Sequence, residues 1–304
     1  MKPAIGIDLG GTRIKALAYD LDARQEIETQ LPPTRDGEQV GDLPAWAATV
    51  RDLVAGWEAR WGRSAEAIGI AAPGLAAKDS SAVACLPVKL AGIENFSWTR
   101  HLGREDRVTV LNDAHAALVG EVWKGAARSV SNVVLLTLGT GVGGAAIVDG
   151  RLLTGHIGRG GHFGHISLDP AGPPDDVGTP GSLEDAIGEC TLAERSGGRF
   201  RTTHELVEAH LGGDSSATVV FHRSVQALAA GICSLVNALD PEVVLLGGGI
   251  TRAGEHLLAP VRARLEEIEW RPLGRKVQLR ITENLDWAGA YGALHRALEF
   301  NHKL

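Results

Sequence analysis

The chain has 304 residues, 44% of them hydrophobic and 22% charged, with a formal net charge of −7 at pH 7. That length can carry two domains with separate cores, and the composition is that of a folded protein and not a disordered one. An acidic balance with no basic stripe excludes a general nucleic-acid partner, because affinity for a phosphate backbone needs clustered Lys and Arg. Cys85, Cys190 and Cys233 are widely spaced with no C-x-x-C, so neither a disulfide framework nor a cysteine metal site is expected. The amino end runs into a predicted strand without a leader pattern, and no apolar stretch reaches the roughly 18 residues of a membrane helix. A cytoplasmic protein with no membrane partner is expected.

Ala4 to Asp20 (AIGIDLGGTRIKALAYD) reads as an apolar strand, a glycine turn at Gly10-Gly11-Thr12 and an alternating strand through Ile14, Ala16 and Ala18. Asp8 ends the first strand. A carboxylate there can hold Mg²⁺ through water while the following N–H groups and the Thr12 hydroxyl meet phosphate; taken alone, a turn Asp capping its own backbone is the plainer account, and a second such turn at Gly139–Gly141 reverses that. Leu43 to Trp61 has apolar residues at helical spacing, and Ala67 to Ala72 and Arg107 to Leu111 read as core strands. Between those strands, Ala76 to Leu102 is irregular and carries two aromatics, Phe96 and Trp98, that read as exposed; such a loop serves binding or packing equally well. Asn112-Asp113 then opens an Ala-rich helix, Ala114 to Lys124. A carboxylate at that point can take a proton from a bound hydroxyl, and it can also be a helix cap.

Val133 to Gly150 (VVLLTLGTGVGGAAIVDG) repeats the plan of the amino end: strand, glycine turn, strand, then an Asp-Gly hairpin turn. Gly139, Gly141 and Gly144 satisfy G-x-G-x-x-G, but that dinucleotide pattern must open a helix, and Ala145 to Gly150 is too short and too β-like. The two similar hairpins point to an internal duplication. Gly155 to Asp169 holds His156, His162 and His165 among five glycines; three close histidines can bind metal, and such a loop can also grip a polyol. Ser182 to Ala193 reads as a helix carrying Glu184, and Ser215 to Leu239 as a long apolar helix. Strand Glu242 to Leu246 runs into Gly247-Gly248-Gly249, with a helix from about Thr251. Strand Val277 to Ile281 and helix Asp286 to Glu299 close the chain.

Duplicated β-hairpins with glycine turns are the plan of the actin, Hsp70 and sugar kinase superfamily. Across nearly its whole length the chain resembles the ROK family of bacterial sugar kinases, through IGIDLGGTRIK at the amino end, APG at 72–74, LNDAHAALVGE at 111–121, LTLGTGVGGAAIVDGRLLTG at 136–155, GHFGH at 161–165, GSLE at 181–184, LLGGGI at 245–250 and DWAGAYGAL at 286–294. The resemblance implies an α/β, two-domain actin-like ATPase (ribonuclease H-like) fold with duplicated mixed-sheet domains and a cleft between them. The expected boundaries are 1–112 for a smaller domain, onto which a helix over 287–304 packs back, and 113–286 for a larger one. It implies Asp113 as general base, Asn112, His162, His165 and Glu184 as sugar contacts, and Asp8 as the Mg²⁺ carboxylate. Gly10, Gly11, Thr12, Lys15, Gly139, Thr140 and Gly141 would serve the phosphates of ATP, and Gly247, Gly248 and Gly249 its nucleoside. The implied reaction is ATP-dependent phosphorylation of a hexose hydroxyl, the 6-OH of glucose first, by a homodimer; the alternatives are another hexose, an N-acetylhexosamine or an amino sugar as acceptor, polyphosphate as donor, or a non-catalytic sugar sensor. Repressors in the family carry a DNA-binding segment ahead of the kinase-like region; here a strand begins by Ala4, so a kinase is expected.

Two departures bear on substrate and metal. The family's sugar loop reads Glu-x-Gly-His, whereas this chain has His162-Phe163-Gly164-His165. Loss of a carboxylate that accepts two hydroxyl hydrogen bonds alters which sugar is satisfied, since a buried unmatched polar group costs about 1–3 kcal/mol. Most relatives also carry a zinc loop, Cys-x-Cys-Gly-x-x-Gly-Cys, where this chain has Asp175-Asp176-Val177-Gly178-Thr179-Pro180-Gly181-Ser182. No structural zinc is expected.

Overall fold

The computed structural model describes residues 1–87 and 89–302. They form two compact units, the first built from 1–128, 154–160 and the segment from Asp286 on, the second from 129–153 and 161–285. The first unit starts with the predicted hairpin, β1 (Pro3–Leu9) and β2 (Ile14–Asp20), paired antiparallel from Pro3↔Asp20 to Leu9↔Ile14. An edge strand, β3 (Gln25–Gln30), adds antiparallel to β2. Helix α1 (Ala45–Trp61) then leads to β4 (Ile68–Ala72) and β5 (Thr109–Asn112), both parallel to their neighbours, giving the order β3-β2-β1-β4-β5. Ile5, Ile7 and Leu9 alternate onto one face of the sheet, where Trp46, Val50 and Trp57 of α1 cover them. Helix α2 (Asp113–Lys124) follows β5 directly.

Trp98 is wholly buried, contrary to the expectation of an exposed aromatic. Its ring lies 4.9 Å from Phe96 and 5.4 Å from Trp46, centroid to centroid, so the irregular segment folds its aromatics over α1.

In the second unit β6 (Val133–Leu138), β7 (Val142–Val148) and β8 (Arg151–Leu152) form an antiparallel ladder. The helix expected over Ser182 to Ala193 is broken: α3 (Leu183–Ile187) ends at Gly188, which is extended (φ −61°, ψ 151°), and a 3₁₀ turn, Glu189–Thr191, and a short helix, Leu192–Arg195, follow. Helix α4 (Thr203–Leu211) starts on a capping box between Thr202 and Glu205. Helix α5 (Ser215–Leu239) reaches a mean hydropathy of 1.5 over 18 residues, so by length and composition it could cross a membrane, which corrects the expectation that no stretch would. Its apolar face, through Val225, Leu228, Ile232 and Leu235, is buried in the unit's core. Strand β9 (Val243–Gly247) lies parallel to β6, and after a 3₁₀ turn, Gly249–Ala253, and α6 (Glu255–Ile268) comes β10 (Gln278–Ile281), parallel to β9. The order β8-β7-β6-β9-β10 repeats that of the first sheet, which is the duplication seen in the sequence.

The last helix, α7 (Ala288–Phe300), belongs to the first unit and packs on β1, β4 and α2. The expected helix over 287–304 extends beyond it, and positions 303 and 304 lie outside the described residues. Contact is backbone to backbone: a Cβ on Gly292 would collide with the Ala116 carbonyl oxygen and stand 2.8 Å from the Gly120 nitrogen. α2 and α7 both lie in the first unit, whose first segment runs through Arg128.

Candidate functional site

The predicted site residues fall into two groups, one in each unit. In the first, β1 delivers Asp8 to the hairpin turn, where Gly10 N–H donates to the Arg13 carbonyl (3.1 Å) and the Thr34 hydroxyl donates to that of Gly10 (2.6 Å). Asp8 pairs across the ladder with Lys15, whose Nζ is 3.3 Å from Oδ2. Burial raises the Asp8 pKa against the opposing pull of Lys15, and the charge of Asp286 adds to the rise. Gly289 of α7 packs directly on this carboxylate: a Cβ there would stand 3.0 Å from Asp8 Cγ, a tight contact. Gly11 and Thr12 are exposed at the tip of the turn.

Asn112 and Asp113 sit where β5 becomes α2. Asn112 is the N-cap, its Oδ1 accepting from the N–H groups of Ala114 (3.0 Å) and His115 (3.1 Å) while Nδ2 donates to the Gly74 carbonyl (2.9 Å). The Asn112 side chain also hydrogen-bonds the Asp113 carboxylate, for which Nδ2 is its only donor. This bonding fixes the backbone that carries Asp113, whose Oδ1 accepts from Ala114 N–H (2.8 Å). Solvent reaches Asp113, yet the protein packed around it, and then the negative charge of Asp8, push its pKa up to about 6. A carboxylate so tuned takes a proton more readily than a free one and is still ionised at neutral pH. The carbonyl of Gly160 accepts from His115 Nε2 (2.7 Å), tying the glycine segment 154–160 to α2. His156 lies exposed on that segment, in the first unit, whereas His162 and His165 belong to the second.

In the second unit the turn between β6 and β7 is held from behind. Gly139 N–H donates to the Gly141 carbonyl (3.0 Å), and the carbonyls of Gly139 and Thr140 accept from the N–H groups of Glu189 (3.0 Å) and Cys190 (2.9 Å). Glu184, in the first turn of α3, accepts at Oε2 from Val142 N–H (2.7 Å), just past the turn. A cavity of about 590 Å³ opens beside it, lined by Gly139, Thr140, Thr203, His204, Gly249 and Arg252 among others. That volume suits a nucleoside. Of the three glycines predicted for the nucleoside, Gly249 lines this cavity. Gly247 stays in β9, and Gly248 (φ +90°) packs against the carbonyl of Leu138. Thr203 and His204 escaped the sequence reading, although Thr202-x-x-Glu205 was a signal for the helix that brings them there. Gly144 sits inside β7, so the dinucleotide pattern opens no helix here.

His162 precedes and His165 ends a 3₁₀ turn, Phe163–His165, packed on β7 so closely that a Cβ on Gly164 would collide with the Val142 carbonyl. His165 is 29% exposed at its side chain, with Nδ1 2.8 Å from Asp175 Oδ2. Among the described residues no three or more His, Cys, Asp or Glu side chains converge as a metal site.

The ROK family profile matches residues 4–299. A glucokinase from Thermotoga maritima is 31% identical over 282 residues, 86% of each chain. An N-acetylmannosamine kinase from Escherichia coli O157:H7 is 32% identical over 295 residues, 95% of this chain and 96% of the relative. Among solved structures, a ROK family glucokinase from Streptomyces griseus in complex with glucose and AMPPNP superposes with a TM-score of 0.76 at 27% identity, covering 98% of this chain and 99% of that one.

Proposed function

The chain belongs to the ROK family, and from that premise we propose that it is an ATP-dependent sugar kinase in which Asp113 deprotonates a hexose hydroxyl. Glucose is the first substrate, by likeness to the glucokinases. The observation that carries the reading is the Asp113 carboxyl, pushed up to about 6 at the strand end where Asn112 fixes its backbone. In phosphoryl transfer a protein supplies position and charge stabilisation more than covalent chemistry. Asp113 orients the attacking hydroxyl and takes its proton. Asn112 fixes and bonds Asp113, and it is a sugar contact by the family resemblance, as are His165 and Glu184; His162 stands where the family has a glutamate and is assigned to the sugar with them. The turn at Gly10–Thr12, followed by Lys15, would offer the N–H groups of Gly11 and Thr12 to phosphate oxygens, and the turn at Gly139–Gly141 would offer those of Thr140 and Gly141. The cavity next to Gly139 takes the nucleoside.

Asp8 and Asp113 are raised first by burial and then by negative charge, that of Asp286 on Asp8 and that of Asp8 on Asp113, a local excess that a cation with water and phosphate as its other ligands would relieve. Asp8 would hold Mg²⁺ through water, and the ion would neutralise charge on the phosphates as magnesium does with one carboxylate and a nucleotide. The family resemblance supports a homodimer, and three free thiols support a reducing cytosol. A second reading, an N-acetylmannosamine kinase, is favoured by the 32% identical relative. Competition between glucose and N-acetylmannosamine in one ADP-release assay separates the two: the preferred sugar shows the higher kcat/KM. Turnover of neither, with ATP bound, would refute both.

A further inference from the structure

The loop after His165 is organised on one buried carboxylate. The Asp175 side chain is fully enclosed. Its Oδ1 accepts from the N–H groups of Val177 (3.0 Å) and Thr179 (2.8 Å), its Oδ2 faces His165 Nδ1 (2.8 Å), and the Ser182 side chain bonds to it as well. Asp175, Val177 and Ser182 are the residues standing at the three positions where the family resemblance would place cysteines. Backbone bonds close the loop around this group, from Asp175 N–H to the Thr179 carbonyl (2.9 Å) and from Gly181 N–H to that of Pro173 (2.8 Å). Burial would raise the Asp175 carboxyl, but the bonds from His165, Thr179, Ser182 and Val177 outweigh it and hold the pKa below the ordinary value. An ionised carboxylate only accepts, so the hydrogen it shares with His165 sits on Nδ1. In the neutral ring that leaves Nε2 as an acceptor.

We propose that Asp175 is a positioning residue that holds His165 as its Nδ1–H tautomer, so that Nε2 accepts a hydrogen bond from a sugar hydroxyl and disfavours a carbonyl oxygen at the same place. The second half rests on the reading that His165 touches the sugar; the first half stands on the loop alone. A carboxylate partner is a general device for fixing the tautomer and orientation of an imidazole.

The test uses the full chain and Asp175→Asn. An Asn oxygen in place of Oδ1 still accepts from Val177 and Thr179, so the loop keeps its stitches, while the amide NH₂ facing His165 can only donate and turns the ring to Nε2–H. Imidazole ¹⁵N spectra, with His165 assigned by comparison with His165→Gln, should show Nδ1–H in the native chain and Nε2–H in the variant. Adding the preferred sugar should move the native Nε2 resonance. Sugar KM should rise about tenfold or more in the variant, as for a polar contact turned from satisfied to unsatisfied, with KM for ATP little changed. A purely structural Asp175 would move neither tautomer nor the ratio of the two KM values. A native Nε2–H tautomer overturns the proposal even if the variant does not fold, and so does an inverted tautomer with unchanged sugar KM. Should no sugar be turned over, the kinase reading falls while the native spectrum still reports on Asp175.

Discussion

Gly141→Ala adds a single methyl group between the phosphate turn and the proposed sugar site. A Cβ built on Gly141 would collide with Glu184 Oε2 and stand 3.0 Å from its Cδ, where carbon atoms normally approach to about 3.5–4.0 Å. The backbone of Gly141 needs no left-handed conformation, so the strain falls on the Glu184 side chain, whose end must withdraw. Its bond to Val142 N–H, 2.7 Å in the native chain, is then lost. A hydrogen bond to a charged group contributes about 1.5–3 kcal/mol, so loss of Glu184 placement should raise sugar KM roughly 10- to 100-fold. Steady-state ADP release gives KM for sugar and for ATP separately. In a Glu184→Ala background the same glycine change should leave sugar KM where it was, with any effect on ATP persisting, because the group it displaces is gone. Sugar KM in Gly141→Ala within twofold of native would refute the reasoning.

Three further outcomes follow from other parts of the molecule. Asp113 works ionised and its pKa is pushed up to about 6, so kcat/KM should rise with pH through that value and level off above it. At pH 5 roughly a tenth of the base is ionised, giving a loss of about tenfold against pH 7; an acid limb near 4 in a pH profile would contradict the assignment. Gly292→Ala should destabilise the first unit by about 1–3 kcal/mol or more, because the new Cβ meets the Ala116 carbonyl at the α2–α7 contact. An unchanged Tm would contradict that close approach. Trp98→Ala should cost about 3–5 kcal/mol in urea unfolding through the cavity left beside Trp46 and Phe96, whereas an exposed tryptophan would cost next to nothing.

Much of this architecture was legible in the sequence, because two glycine-punctuated hairpins carry unusually strong local signals. β1, β2, β6 and β7 alternate or run apolar up to glycine-marked turns, and the helices α2 and α5 keep a clear apolar period. What escaped had weaker or longer-range causes. β3 is an edge strand with Ile27 as its single apolar side chain, so no hydrophobic pattern marks it. The break at Gly188 depends on its carbonyl accepting from Arg195 Nη2 (2.8 Å) and Thr191 Oγ1 (3.3 Å), groups a local reading does not bring together. Trp98 looked exposed because the residues around it are polar, yet its burial is set by α1, some forty to fifty residues earlier in the chain. The places of Asp8 near the end of β1 and of Asp113 just after β5 could be read locally, since a strand end fixes position without long-range help. The Asp175–His165 pairing could not be read from spacing; it depends on how the proline-rich loop folds back.

The central claim, that Asp113 takes the hydroxyl proton in an ATP-dependent sugar phosphorylation, is tested most directly by ADP release. Purified protein with ATP and Mg²⁺ would be assayed across hexoses, N-acetylhexosamines and amino sugars, beside Asp113→Asn. Sugar-dependent turnover that falls about 10²- to 10⁴-fold in the variant, with ATP binding retained, is the expected result. Turnover that survives the substitution would remove Asp113 from the role of base.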